Sequence, residues 1–209
     1  MLRFCSLIAL GLGLASPAIA AEEKAIVAGG CFWCVEADFE KVPGVAGAVS
    51  GYTGGTTENP TYNEVGRGGT GHFEAVEITF DTAQITYDEV LSLFLRSVDV
   101  TDGEGQFCDR GESYRTAIFP LNAAQRAVAD AAVAKASADL GAPIVTPVLD
   151  ATTFWPAEDY HQDYYKGTNI IITRAGPKRQ SSAYDFYRTS CGRDERVKEV
   201  WGSAAALVK

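Results

Sequence analysis

The sequence predicts an α/β sandwich with a ferredoxin-like split βαβ core, an added helix and strand, and a long irregular C-terminal tail. Two observations carry this prediction. Apolar strand patterns and helical patterns follow each other in the order strand, helix, strand, strand, helix, strand. The second and third strands have no helix between them, which disfavours the alternative of a doubly wound parallel sheet.

The individual elements are read from apolar periodicity and from the residues that start and stop helices. Pro43 and Gly44 end the first helix, and Thr86 with Glu89 forms a capping box that starts the second. Asn122 caps a third, alanine-rich helix. In chain order the predicted strands lie at 24–28, 45–52, 73–80, 116–119 and 144–149, and the helices at 32–41, 86–98 and 122–140.

Two long polar loops, 56–71 and 99–114, interrupt these elements, and the tail from about 154 onward is expected to wrap the domain. Loops of this length inside a compact domain are typically functional. We therefore look for chemistry at the loops and at the strand ends beside them.

The first twenty residues resemble a signal peptide. Arg3 precedes an apolar run at 7–14, and Ala18-Ile19-Ala20 is a small-residue cleavage site. We expect residues 1–20 to be removed and the protein to be exported, to the periplasm in a diderm bacterium. The remainder, 21–209, has the length of one domain, with a core at about 24–165 and a tail at about 166–209 that carries Cys191.

Charge and cysteine spacing exclude several classes of function. The net charge of −9 disfavours binding to nucleic acid or to an anionic membrane, because both need a basic face. We expect a monomer. Cys31 and Cys34 lie on one helical turn and cannot join distant segments, and a single Cys-x-x-Cys is only half of a zinc site. No metal site is predicted.

Cys31 is the first candidate for chemistry. It stands where a strand turns through two glycines into a helix, and unpaired N–H groups at a helix start favour a thiolate. Phe32 and Trp33 follow and would place an apolar wall beside the sulfur. The alternative is a buried cysteine that only packs against core aromatics.

Two further groups are weaker candidates by themselves. Glu74 is expected on the core side of its strand, where a carboxyl group tends to keep its proton and can act as a general acid. Its alternative role is a loop hydrogen bond together with His72. Asp109 and Arg115 can equally form an ordinary ion pair, and tyrosines are more often packing residues than ligand donors.

Six short strings, in this order along the chain, resemble the peptide-methionine (S)-S-oxide reductases of the A type (MsrA). The resemblance runs from about 26 to 161. The strings are Gly30-Cys31-Phe32-Trp33, Gly51-Tyr52-Thr53-Gly54-Gly55, Asn59-Pro60-Thr61-Tyr62, Thr70-Gly71-His72-Phe73-Glu74, Asp109-Arg110-Gly111 with Tyr114-Arg115, and Ala157-Glu158-Asp159-Tyr160-His161-Gln162.

The resemblance implies a role for each matched position. Cys31 would be the nucleophile, and Phe32 with Trp33 the pocket for the S-methyl group of the substrate. Glu74 would protonate the sulfoxide oxygen. The remaining implied site residues are Tyr62 and Tyr114, which would bind that oxygen, and Asp109, which would support the site.

The family chemistry implies a sulfenic acid on Cys31, a disulfide with a second cysteine, and reduction of that disulfide by a thioredoxin-like protein or dithiothreitol, without a cofactor. Cys191, on a glycine-flanked tail, is the first choice for the resolving cysteine. Cys34 and Cys108 are the alternatives, and a relay that uses two of them is open. The rival functions are a general thiol–disulfide oxidoreductase that uses Cys31 and Cys34, and an exported binding module with two structural disulfides.

Overall fold

The computed structural model describes residues 21–209. The predicted signal peptide at 1–20 lies outside the described residues. The helices are α1 (Phe32–Phe39), α2 (Tyr62–Arg67), α3 (Tyr87–Leu95), α4 (Ala123–Leu140), α5 (Gln180–Ser190) and α6 (Arg193–Trp201). The strands are β1 (Glu22–Gly29), β2 (Val45–Thr53), β3 (Phe73–Asp81), β4 (Gly105–Gln106), β5 (Asp109–Arg110), β6 (Thr116–Ile118), β7 (Trp155–Pro156), β8 (Ile170–Thr173) and β9 (Gly176–Arg179).

The central sheet has the strand order β6-β1-β3-β2-β7, and every neighbouring pair in it is antiparallel. Strand β3 therefore lies between β1 and β2, which are joined through α1. This is the split βαβ arrangement that the element order predicted. The α/β fold class is confirmed.

The main core contains buried side chains from both the sheet and the helices. Val76, Ile78 and Phe80 alternate along β3, while Phe39 of α1 and Phe94 of α3 cover them. All five side chains are at most 2 % exposed. A domain of this length can bury such a core without disulfides or a structural metal. Alternation with a period of two on the strand and apolar positions on one helix face explain why the sequence patterns were informative here.

Two elements differ from the sequence-based prediction. The strand predicted at 144–149 is wrong, since this segment makes only an isolated parallel bridge between Val148 and Ile118. Pro143 and Pro147 lack the N–H groups that a ladder needs. The loop predicted at 56–71 contains α2, which Thr61 and Glu64 start with a capping box that the sequence reading overlooked.

The C-terminal tail is more regular than predicted. It contains the β8–β9 hairpin and the helices α5 and α6. The buried guanidinium of Arg188 joins the tail to α1 through its Nη1, which donates to Asp38 Oδ1 at 2.8 Å. Its Nη2 donates to Asp194 Oδ1 at 2.6 Å and joins α5 to α6. The tail thus holds Cys191, at the end of α5, close to the start of α1.

Within residues 21–209, no helix is both long enough and apolar enough to cross a membrane.

Candidate active site

Cys31 occupies the N-cap position of α1, with φ −50° and ψ 114°. The turn before it depends on Gly30, whose φ is +79° and whose position leaves no room for a Cβ, which would lie 2.5 Å from Cβ of Gln106. The side chain of Cys31 makes no capping hydrogen bond and is partly exposed. Its sulfur is therefore available to a ligand at the helix start.

The carboxyl group of Glu74 lies at this helix start. Its Oε2 accepts a hydrogen bond of 3.1 Å from the backbone N–H of Phe32, the residue after Cys31. The side chain is 2 % exposed, and burial raises its pKa from 4.5 to about 8, although the bond from Phe32 opposes the shift. The prediction that Glu74 points into the protein is confirmed, and its carboxyl group is mostly protonated at neutral pH.

Tyr62 and Tyr114 lie above the carboxyl group. Both side chains line the same groove as Glu74, and each hydroxyl group lies near enough to that carboxyl group for its charge to act on it. Burial, followed by the negative charge of Glu74, raises the pKa of both tyrosines far above neutral. Both phenols thus remain proton donors at physiological pH.

Asp109 is the fourth predicted polar residue of this site. Burial raises the pKa of its carboxyl group, and the positive charge of Arg193 opposes that shift. The ion pair with Arg115 that was weighed from the sequence does not form in the described residues. Arg115 instead lies over the ring of Phe73, 5.1 Å from the centroid.

An aromatic wall stands opposite these polar groups. Trp33 stacks on Tyr164, with ring centroids 3.7 Å apart and planes 5° apart. Phe32 is buried and packs against Tyr62 at 6.2 Å. The wall provides an apolar surface beside Cys31, as the sequence predicted from Phe32 and Trp33.

His161 contacts three aromatic residues of the candidate site and was not singled out from the sequence. Its Nδ1 accepts a 3.1 Å hydrogen bond from Nε1 of Trp33, and its ring packs against Phe32 at 5.1 Å and Tyr62 at 4.4 Å. Burial lowers the pKa of His161 from 6.5 to about 4, so the ring is neutral and able to accept this bond. The signal was its place in the last matched string, at 157–162.

Glu158 was also missed. Its Oε2 accepts a 2.9 Å hydrogen bond from the hydroxyl of Tyr52, and its Oε1 accepts a 3.0 Å bond from the backbone N–H of Tyr62. The residue thereby joins the start of α2 to β2 and fixes the position of Tyr62.

The four described cysteines form two pairs. Cys31 and Cys34 carry free thiols three residues apart at the start of α1, and Cys34 is buried. Cys108 and Cys191 form a disulfide with their Cα atoms 5.1 Å apart. Cys191 is therefore bonded to Cys108 and not to Cys31. The free thiol beside Cys31 is that of Cys34.

The charge distribution at the first pair differs from the sequence-based expectation. The hydrogen bond with Cys34, burial, and the negative charges of Cys34, Glu74 and Asp109 raise the pKa of Cys31 above its ordinary value. The hydrogen bond from Cys31 and the positive charges of Arg193 and Arg188 lower the pKa of Cys34, against its burial. In the free protein these effects outweigh the helix start at Cys31, and of the two thiols it is Cys34 whose pKa is lowered.

A groove of about 600 Å³ joins these groups. Its walls include all of the predicted site residues except the buried Cys34, namely Cys31, Phe32, Trp33, Tyr62, Glu74, Cys108, Asp109, Tyr114 and Cys191. A thiol, a neutral carboxylic acid, two phenols and an apolar wall therefore face one space. This arrangement suits attack on a small polar bond that carries an apolar substituent.

The residues that could hold a cation lie elsewhere. Among residues 21–209, the one group of carboxylates with metal-binding spacing is Glu36, Glu40 and Asp163, which is not part of the groove. The ammonium group of Lys166 already pairs with both Glu40 and Asp163.

Comparison with known proteins agrees with this geometry. The family model described as peptide methionine sulfoxide reductase matches residues 23–202. A peptide methionine sulfoxide reductase MsrA 2 from Rhizobium meliloti (strain 1021) is 50 % identical over 190 residues, which cover 90 % of this chain and 89 % of the relative.

Two solved structures share the fold. Methionine sulfoxide reductase A of Corynebacterium diphtheriae is 30 % identical, with a TM-score of 0.62, over 79 % of this chain and 85 % of that chain. Mxr1 from Saccharomyces cerevisiae in reduced form is 25 % identical, with a TM-score of 0.66, over 69 % of this chain and 84 % of that chain. The match to the family model covers most of the chain, so this protein belongs to the peptide methionine sulfoxide reductase family.

Proposed function

We propose that this protein reduces the S epimer of methionine sulfoxide, in polypeptides and as the free amino acid. One observation carries the proposal: the buried carboxyl group of Glu74, whose pKa burial raises to about 8, accepts a hydrogen bond from the backbone N–H next to the partly exposed thiol of Cys31. A sulfoxide sulfur is a weak electrophile until its oxygen receives a proton, so a nucleophile and a neutral acid must meet across it.

The chemical step follows from these positions. The thiolate of Cys31 attacks the sulfoxide sulfur while Glu74 donates its proton to the oxygen. The oxygen transfers to Cys31 as a sulfenic acid, and the thioether of methionine leaves. The phenols of Tyr62 and Tyr114 donate hydrogen bonds to the oxygen as it gains charge, which lowers the barrier to the transfer.

The titrations of the two reacting groups support each other. The negative charge of an ionised Glu74 is one of the causes that raise the pKa of Cys31. Because Glu74 is mostly neutral at pH 7, that repulsion is largely absent under physiological conditions. Protonated Glu74 therefore serves as the acid of the reaction and also favours ionisation of the Cys31 thiol.

The methyl group of the substrate would lie on the ring face of Trp33 beside Phe32. His161 and Tyr164 hold the indole from its edge and its other face, which orients the pocket before a substrate arrives. The carboxyl group of Asp109 lines the polar side of the same groove.

Recycling of Cys31 needs a free thiol, and Cys191 was the first choice. Since Cys191 is joined to Cys108, it offers a thiol only after that disulfide is reduced. We propose a relay in which Cys34 first condenses with the sulfenic acid and releases water. Reduced Cys108 and Cys191 then take over the disulfide by thiol–disulfide exchange and return Cys31 and Cys34 to thiols.

The described pairing is the one that this relay leaves behind. Cys108 is exposed, so the final disulfide lies within reach of an external dithiol protein of the thioredoxin type. The proposal includes no cofactor, export to the periplasm through residues 1–20, and a monomeric protein.

A general thiol–disulfide oxidoreductase is the second candidate, because Cys31 and Cys34 are paired thiols at a helix start. Such an enzyme would reduce insulin disulfides without any sulfoxide. It gives no role to Glu74 or to the two phenols.

A chiral assay tests the proposal. Both epimers of methionine sulfoxide are supplied with a thioredoxin system and, in parallel, with dithiothreitol. We expect turnover of the S epimer only and its abolition in Cys31→Ser. Rapid insulin reduction without sulfoxide turnover would replace the proposal with its rival.

A further inference from the structure

The β8–β9 hairpin has two faces of different character. Ile171 packs against the buried cluster that contains Cys34 and Tyr184. On the opposite face, Ile170 and Ile172 are 66 % and 81 % exposed. Two large apolar side chains side by side in solvent are unusual when the remainder of the strand is anchored.

The hairpin is held rigidly at both ends. The hydroxyl of Thr173 donates to the carbonyl of Gly176 at 2.7 Å and accepts from the N–H of Ala175 at 3.1 Å, which closes the turn. At the base, the backbone N–H of Gln180 donates to Asn169 at 3.0 Å. The exposed isoleucines therefore belong to a formed surface and not to a free end.

This surface is continuous with the active-site groove. Ile171, Ile172 and Arg174 form one wall of the same space that Cys31 and Glu74 line. A polypeptide that places a side chain in this groove can therefore lie along the hairpin.

The hairpin is also basic within an acidic protein. The chain carries a net charge of −9, yet the segment 164–184 contains no Asp or Glu and carries Lys166, Arg174, Lys178 and Arg179. Lys166 is paired with carboxylates. Among residues 21–209, Arg174 and Arg179 form no ion pair, so their charges are available to a ligand.

We propose that the β8–β9 hairpin binds the extended polypeptide segment that flanks an oxidised methionine, with preference for an apolar residue beside it and a carboxylate further along. This inference rests on the proposed function. Ile170 and Ile172 would cover the apolar neighbour, and Arg174 would pair with the carboxylate. Free methionine sulfoxide has no flanking residues and fills only the pocket at Cys31.

The occupant is an extended chain for a geometric reason. In a strand, residues two apart lie on one face, so Ile170 and Ile172 form a short apolar row next to the groove. A segment that lies along this row can turn one side chain into the groove and another onto the row. The hairpin would thereby favour oxidised methionines in unfolded segments over those in compact domains.

The experiment compares substrates on the same enzymes, with dithiothreitol as the reductant. The substrates are free methionine S-sulfoxide, a pentapeptide with Leu and Glu around the sulfoxide, and the same pentapeptide with Ser and Lys. The enzymes are the wild type, the double variant Ile170→Ser with Ile172→Ser, Arg174→Glu, and Leu121→Ser as an exposed apolar control far in sequence from the hairpin. Leu121 is 43 % exposed and does not line the groove.

We expect the double variant to lower the ratio of kcat/KM for the Leu/Glu peptide to kcat/KM for the free amino acid about fivefold. This is the size expected when two apolar side chains no longer bury part of the peptide. Arg174→Glu should reverse which of the Leu/Glu and Ser/Lys peptides has the higher kcat/KM. Leu121→Ser should leave every ratio unchanged.

An unchanged ratio in the double variant, with wild-type turnover of both substrates, overturns the inference and leaves the proposed function intact. If no substrate is reduced by the wild type, the proposed function itself fails. If the variants lose turnover only when a thioredoxin system replaces dithiothreitol, the hairpin binds the reductant and the inference is overturned.

Discussion

The buried carboxyl group of Glu74 makes the stability of this protein depend on pH. The folded-state pKa of about 8 lies above the ordinary value of 4.5, so the folded protein binds more protons than the unfolded chain between those two values. This contribution is fully present below pH 4.5 and is lost as the pH rises through 8.

The magnitude follows from the two pKa values. At about 1.4 kcal/mol for each pH unit, the full difference is worth about 5 kcal/mol, of which about 2.5 kcal/mol is lost between pH 6 and pH 8.5. Glu36 adds a smaller contribution of about 1.4 kcal/mol over the same range, because burial raises its pKa to about 7.

We expect Glu74→Gln to remove the larger of these two slopes, since glutamine does not titrate. The background is Cys31→Ser with Cys34→Ser, in which no thiol at the site titrates and the Cys108–Cys191 disulfide stays intact. Urea unfolding, followed by the fluorescence of the three tryptophans, gives the free energy of unfolding at pH 6 and pH 8.5.

Glu36→Gln is the matched control, because it removes the smaller slope and leaves that of Glu74. If Glu74→Gln loses as much stability between pH 6 and pH 8.5 as its parent does, the carboxyl group is not protonated in the folded state. The assignment of Glu74 as the proton donor would then be wrong.

Three further predictions concern activity. In the wild type, kcat/KM should rise with pH as Cys31 ionises and level off near pH 8, because from there the loss of the Glu74 proton offsets the gain of Cys31 thiolate. The pH profile of Glu74→Gln should lack that inflection. His161→Phe leaves the indole N–H of Trp33 without its acceptor, at a cost of about 1–3 kcal/mol, so KM should rise more than kcat falls, and His161→Asn should restore part of the loss. In Cys191→Ser, one turnover without reductant should leave a disulfide between Cys31 and Cys34 on peptide mapping, and a free Cys34 after that turnover would contradict the relay.

The strand–helix order at the N-terminus was predictable because its signals are local. Alternation along β3 and the capping box of α3 are properties of neighbouring residues, and they agree with the structure. The same local reading failed at 144–149, where an apolar run outweighed Pro143 and Pro147, and at α2, whose capping box at Thr61 was passed over within a polar loop.

The candidate site was predictable where a residue carries its own chemistry. Cys31 stands out by its position between two glycines and a helix, and the six matched strings connected it to Glu74, Tyr62 and Tyr114. His161 was not singled out, because an acceptor for the Trp33 indole, 128 residues away, has no local pattern.

The chain by itself determined which side chains are reactive and which elements carry them, since both depend on residue type and short-range spacing. Tertiary structure alone decided their proton affinities and partners. The hydrogen bond from Cys31 lowers the pKa of Cys34, together with the charges of Arg193 and Arg188, which arrive from the tail. Cys191 pairs with Cys108 because α5 ends beside the loop after β4. Burial and long-range charge set a pKa, and neither can be read from a sequence before the chain has folded.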